Sequence, residues 1–196
     1  MTWLEPITLK GKHVSLVPLG QQHCQDLIET VKADQLWDTW YTNIPEPESM
    51  AAEIERRLQL QTQGAMLPFA VLAADGKAVG MTTYMNVDTV NKRVEIGSTW
   101  YGKRVQRTGL NTEAKHMLLT QAFEQLNCIA VEFRTSSFNH QSQRAIARLG
   151  AKLDGILRNH IRHKNGTLRD TYVYSILQSE WPAVKVHLQY QLDKNR

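Results

Sequence analysis

The sequence predicts an α/β (α+β) domain built on one mixed sheet with helices packed against its faces. Three observations lead there. A meander of short apolar runs surrounds Asp75-Gly76, a strand–helix–strand crossover spans residues 94–133, and a hairpin closes at Asn165-Gly166. Meanders and hairpins make antiparallel neighbours, whereas a helical crossover makes a parallel pair. The expected order is β–α–α–β–β–β–α–β–α–β–β, followed by a short helix near residues 180–190. A chain of 196 residues fits one domain over 1–196, with its core at about 10–178.

Each element has its own signal. His13-Val14-Ser15-Leu16-Val17-Pro18-Leu19 alternates as a half-buried first strand does. Helical stretches follow around 21–33 and 48–63. Between them Trp37, Trp40 and Tyr41 lie in a segment ending Ile44-Pro45-Glu46-Pro47, which the prolines make a loop. Phe69–Ala73 and Ala78–Met81 flank the hairpin signal Asp75-Gly76, and Val94–Trp100 is the meander's third strand. A long amphipathic helix comes next, its stripe marked by Ala114, Met117, Leu118, Ala122 and Leu126. Ile129–Phe133 is a strand, and residues 139–149 form a short helix closed by Gly150 as its C′ residue. Finally Lys164-Asn165-Gly166-Thr167 joins two strand-like runs, and Asn-Gly favours a type I′ turn.

Composition removes several classes of function. With 42% hydrophobic and 21% charged residues, this is the make-up of an ordinary globule. The two cysteines, Cys24 and Cys128, stand far apart, which excludes a disulfide framework and any CxxC motif. Cys128 lies among apolar residues and reads as an inert buried thiol, in keeping with a reducing cytoplasm. No segment approaches the ~18 apolar residues of a membrane span, and Met1–Pro6 lacks the features of a secretory leader. The net charge of +4 favours anionic partners without choosing among them.

The most informative segment is Gln106-Arg107-Thr108-Gly109-Leu110-Asn111, where a strand ends and the long helix begins. A helix start presents unpaired N–H groups and the positive end of its dipole, a ready anion site. Gly109 lets a ligand approach the backbone, or else is the turn glycine of a plain helix cap. The segment is no Walker loop, since GxxxxGK[ST] is absent, and it has one of the three glycines of a dinucleotide fingerprint.

These residues resemble the coenzyme-binding motif Q/R-x-x-G-x-G/A of the GNAT acetyltransferases. Thr108–Lys115 resembles the RimJ/RimL-type branch, as do Asn139-His140-Gln141-Ser142, Leu149-Gly150-Ala151, Asp154–Arg158 and the hairpin with Asn165-Gly166 and Arg169-Asp170. The similarity covers roughly residues 10–180. It implies the GNAT fold, with a splayed, mostly antiparallel sheet, and acetyl-CoA as co-substrate. It also implies coenzyme contacts from Thr99, Trp100, Gln106, Arg107, Thr108, Gly109, Leu110, Asn111 and Asn139. Asn111 departs from the motif's Gly or Ala, and Arg107 adds charge beside the pyrophosphate.

Three residues are candidates for catalysis. The resemblance puts Ser142 near the coenzyme sulfur, as donor to the departing thiolate; otherwise it is a small residue that lets its helix pack. Glu95 alternates with Val94 and Ile96, which places it on the strand face of Thr99, as a base acting through water or as a solvated carboxylate. His160 is a second base candidate, near where relatives carry a glutamate. Arg158, His160, Arg162 and Lys164 alternate along one strand as a basic stripe, either to receive an acidic substrate or RNA or as a solvated face. Trp37, Trp40 and Tyr41 either wall the acceptor site or serve core or homodimer contacts.

The implied reaction is direct acetyl transfer to an amine, with no acyl-enzyme. Strand N–H groups at 93–101 would polarise the thioester carbonyl. No metal is implied, because HExxH and clustered Cys/His are absent. The expected acceptor is the α-amine of a protein N-terminus or of an amino-acid-like small molecule. Alternatives are a polyamine or antibiotic acetyltransferase, a CoA-binding protein without catalysis, and a nucleic-acid-binding module. The lack of any nucleic-acid motif argues against the last.

Overall fold

The computed structural model describes residues 3–194. A two-residue strand β1 (Leu9–Lys10) precedes the expected order and pairs with β2 (Val14–Pro18). Then come α1 (Cys24–Asp34), α2 (Met50–Thr62), β3 (Met66–Ala73), β4 (Ala78–Asp88) and β5 (Arg93–Tyr101). The second half is α3 (Leu110–Thr120), β6 (Ala130–Ser136), α4 (His140–Arg148), β7 (Lys152–Arg162), β8 (Leu168–Leu177) and α5 (Trp181–Lys194). The last helix is longer than expected, and α3 ends in a π-turn over Gln121–Gln125.

All eight strands join one open sheet in the order β1-β2-β3-β4-β5-β6-β8-β7. Only β5 and β6 run parallel, and they touch only where Arg93–Glu95 face Ala130–Glu132. Beyond Glu95 they diverge, β5 remaining paired to β4 and β6 to β8. This splay leaves β5 with a free backbone edge above the gap.

Two cores hold the sheet. Phe69, Tyr84, Val94 and Ile96 pack with Leu118 of α3 and Leu188 of α5 on one face. Ala70, Met81 and Trp100 pack with Leu27 and Val31 of α1 and Ile54 of α2 on the other. The burial follows the period-2 alternation of strands and the one-sided stripe of helices.

Both hairpins depart from the simplest turn. The Asn165-Gly166 expectation was a type I′ turn, which needs positive φ at both central residues. Here only Gly166 has it, at +86°, and His163 N–H bonds Thr167 O while Gly166 N–H bonds His163 O. Gly76 closes its hairpin identically, with φ of +79°. In each case a tight turn is followed by a left-handed glycine, which costs glycine no Cβ clash.

Candidate active site

The site starts from the free end of α3. Thr108 Oγ accepts the Leu110 N–H at 3.2 Å and donates to Val105 O at 2.7 Å, while Arg107 adopts a left-handed φ of +61°. Gly109 occupies the N-cap position, where it has no side chain to cap with. The N–H groups of Gly109, Asn111 and Thr112 therefore find no acceptor among the described residues. Converging unpaired donors at a helix N-terminus suit an anion. Gly109 is not needed for conformation, since its φ is −67° and an added Cβ would meet nothing nearer than Leu192 Cδ2 at 3.9 Å. What the glycine does is leave the donors open.

Across the splay, α4 begins differently. Asn139 caps it, its Oδ1 accepting the Ser142 N–H at 3.0 Å. Ser142 is half-buried on the side of Ile146 and Leu149, and its hydroxyl makes no hydrogen bond among the described residues. The two lips touch where Gln141 Nε2 donates to Gln106 Oε1 at 3.4 Å, and Gln106 in turn holds Tyr101 O at 2.8 Å.

Strand β5 carries a bulge that changes which residues share a face. Thr83 pairs with Gly97 and Met81 with Trp100, so two residues, Ser98 and Thr99, stand opposite one. Ser98 takes a φ of +48°. The extra residue reverses the alternation beyond it. Glu95 and Thr99 are therefore on opposite faces, against the expectation from simple alternation. Thr99 points to α3, and the Trp100 side chain enters the core under α1 and α2, leaving only its backbone to a ligand. Leu110 is likewise buried and offers only its backbone.

On the α3 face Thr99 meets a residue that the sequence reading passed over. Lys115 is 5% exposed, and its Nζ donates to Thr99 Oγ1 at 2.9 Å and Thr82 Oγ1 at 3.3 Å. Among the described residues no carboxylate balances it. Burial pulls its pKa down to about 7, because the apolar surroundings penalise the charged form. Its spacing from Leu118, Leu119 and Ala122, all buried, is the helical period that could have exposed it.

Glu95 lies on the opposite face, 5% exposed rather than solvated. Asn86 Nδ2 donates to it at 2.6 Å and Arg134 Nε lies 3.5 Å away. Burial raises its pKa, with Arg134 and Asn86 opposing and Glu132 assisting. A carboxyl whose pKa is raised is a stronger base than a free one, which suits it to accept a proton. His160 reaches the same face, its Nδ1 3.1 Å from Thr171 Oγ1. The basic stripe is not continuous: Asn159 has a φ of +51°, and Arg158 pairs with Asp170 at 2.5 Å while His160 meets Thr171. Asp170 and Thr171 are adjacent in a strand and point to opposite faces. Of the aromatic cluster, Trp37 packs into the core, whereas Trp40 is 49% exposed between Phe138 and His163, with ring centroids at 5.1 and 5.3 Å. Cys128 is fully buried, and burial pushes its thiol up to about 12.

Comparison with known proteins identifies the family and the fold. The Acetyltransferase (GNAT) domain family matches residues 13–152. A Bacillus subtilis (strain 168) protein described as "Putative ribosomal N-acetyltransferase YdaF" is 34% identical over 116 residues, 59% of this chain and 62% of that protein. The match thus spans less than two thirds of that relative's length. A GCN5-related N-acetyltransferase from Brucella melitensis superposes with a TM-score of 0.84 at 33% identity, covering 96% of this chain and 86% of that one. Mycobacterium smegmatis RimJ, solved in complex with CoA-disulfide, shares the fold with a TM-score of 0.77 at 22% identity, covering 91% and 88%.

Proposed function

This chain belongs to the GNAT acetyltransferase family, and from that premise we propose that it is an N-acetyltransferase moving an acetyl group from acetyl-CoA to the α-amine of a peptide N-terminus or amino-acid-like molecule. The observation that carries the reading is the uncapped start of α3 beside the free edge of β5. An anion binds where donors already converge and need no reorganisation.

In this reading the whole chain works as one domain. The N–H groups of Gly109, Asn111 and Thr112, helped by Arg107, hold the pyrophosphate. The coenzyme arm follows the β5 edge past Thr99 and Trp100, where strand N–H groups near the Ser98 bulge polarise the thioester carbonyl. The acceptor nitrogen approaches from the opposite face, where Glu95, directly or through water, takes its proton. As the new C–N bond forms and the C–S bond breaks, the Ser142 hydroxyl donates to the leaving thiolate. His160 lines the acceptor side and is the alternative base.

An α-amine suits this equipment better than lysine. Its pKa of ~7.7–8.0 leaves a large neutral fraction near pH 8, where a lysine at ~10.4 is almost wholly charged. The relative described as a "Putative ribosomal N-acetyltransferase" and the single buried carboxylate among the described residues, Glu95, support a peptide N-terminus over a polyamine. The test is CoA release from acetyl-CoA with free-N-terminus peptides, N-blocked lysine peptides and spermidine. Tenfold better turnover of the free N-terminus is the expected result, and the reverse order would overturn the α-amine reading.

A further inference from the structure

The acceptor face holds one guanidinium that the fold itself leaves unanswered. Arg169 lies on β8 two residues before Thr171, so alternation puts it on the face of Glu132, Thr171 and Glu95. It is partly buried, and its Nε is shut from solvent with no acceptor among the described residues. Other arginines on this face are matched. Arg93 meets Glu132 at 2.6 Å, Arg134 meets Glu132 at 2.9 Å and Glu95 at 3.5 Å, and Arg57 meets Glu53 at 2.7 Å.

The partners of the neighbouring arginines point the same way. Arg93 has Glu132 and, across the β4–β5 pair, Asp88, while Arg134 has Glu132 and Glu95. Arg169 feels Glu95 through space, yet its buried Nε has no hydrogen-bond acceptor among the described residues. A buried donor left unmatched costs free energy, and a charged one costs more. A cationic acceptor would leave that donor unmatched, whereas an acceptor bringing its own anion would satisfy it.

Resting on the acetyltransferase reading, we propose that Arg169 receives a carboxylate of the acceptor, close to the amine that Glu95 deprotonates. Glu95 and Arg169 are near enough to act on each other electrostatically. The amine and the anion of the acceptor must then be only a few bonds apart. That chemistry belongs to a peptide with an acidic residue at or next to its N-terminus, and equally to a free α-amino acid. A guanidinium is the side chain whose fork matches a carboxylate with two parallel hydrogen bonds. Trp40, half-exposed at the rim between Phe138 and His163, gives the rest of the acceptor an apolar wall.

The experiment measures kcat/KM for three acceptors: peptides beginning Ala-Ala and Ala-Glu, and free alanine. It uses wild type, Arg169→Gln and Arg169→Lys. In wild type one carboxylate-bearing acceptor should exceed the Ala-Ala peptide by about tenfold to a hundredfold, the span of a hydrogen bond to a charged group. Which one exceeds it identifies the source of the anion. Arg169→Gln should bring that ratio to about twofold or less, and Arg169→Lys should keep an intermediate ratio. A wild-type ratio near one, or a high ratio that survives Arg169→Gln, overturns the proposal. Equilibrium binding of the same three acceptors without coenzyme, followed by tryptophan fluorescence, applies the same criterion to affinity. A preference in binding with no transfer to any acceptor would sustain the Arg169 assignment while refuting the enzymatic reading.

Discussion

Helices α3 and α4 begin on opposite lips of the same splay, yet their first turns are built on opposite plans. Asn139 fills the start of α4 with its own amide oxygen, so the Ser142 N–H is already satisfied. Gly109 leaves the start of α3 empty. The contrast continues inward. Helix α4 buries only Ile146, whereas α3 buries the amine of Lys115 with no carboxylate among the described residues to balance it. Helix α3 thus carries two features that cost stability, an open cap and an unbalanced lysine. Such costs concentrate where a protein needs something other than stability. The same backbone donors exist at both helix starts, and a side chain decides which set is free for a ligand.

The largest expected effect comes from closing α3 as α4 is closed. In Gly109→Asp the new carboxylate would accept from the first-turn N–H groups and set a negative charge where phosphate binds. The protein has room for it, with Leu192 Cδ2 as the nearest atom to the added Cβ, at 3.9 Å. Acetyl-CoA affinity should fall at least about a hundredfold, an effect of ~2.7 kcal/mol, while thermal stability holds or rises by a few tenths of a kcal/mol. Calorimetric titration and a melt measure both. Wild-type affinity in a well-folded variant would detach the coenzyme from α3.

The second effect concerns the buried lysine and has a definite sign. Unfolded, Lys115 keeps its proton up to ~10.4, whereas folded it sheds it at about 7. Between those values the unfolded chain binds more protons, so stability rises with pH; below about 7 both states are charged and the slope vanishes. The greatest slope from one group is ~1.4 kcal/mol per pH unit. Urea denaturation at pH 6, 7, 8 and 9 should therefore show wild type gaining on Lys115→Met across the upper range. Parallel curves for the two proteins would mean that the amine is not held in a desolvated setting.

The two helices also mark how far sequence reading reaches. Their positions, the α4 cap and the glycine after it follow from periodicity and capping chemistry, which are local. The bulge at Ser98 is different: it depends on how β4 and β5 register, and no residue type announces it. It put Glu95 and Thr99 on opposite faces where alternation alone put them together. Asn159 broke the basic stripe by the same means, a single residue at positive φ. Asn86, Lys115 and Arg169 were missed because their surroundings come from distant strands. Of these, Lys115 alone left a trace, in its helical spacing from Leu118, Leu119 and Ala122.

The smallest effect separates the two roles of Asn139, and two substitutions at one position suffice. Asn139→Ala removes the oxygen that holds the Ser142 N–H and should cost about 1 kcal/mol of stability, the usual worth of a cap. Asn139→Asp keeps the cap, since aspartate serves there as well as asparagine, so stability should return close to wild type. It also brings a negative charge to the lip facing α3, where Gln141 already touches Gln106. If Asn139 only caps, acetyl-CoA should bind the aspartate variant as it binds wild type. If the coenzyme lies between the two lips, its phosphates will meet that charge, and the dissociation constant should rise about threefold to tenfold at low salt and less at high salt. We expect the rise, because the splay is narrow enough at this point for one glutamine pair to bridge it. An unchanged dissociation constant across both ionic strengths, with stability restored, would confine Asn139 to holding α4 and leave coenzyme binding to α3 and β5 alone.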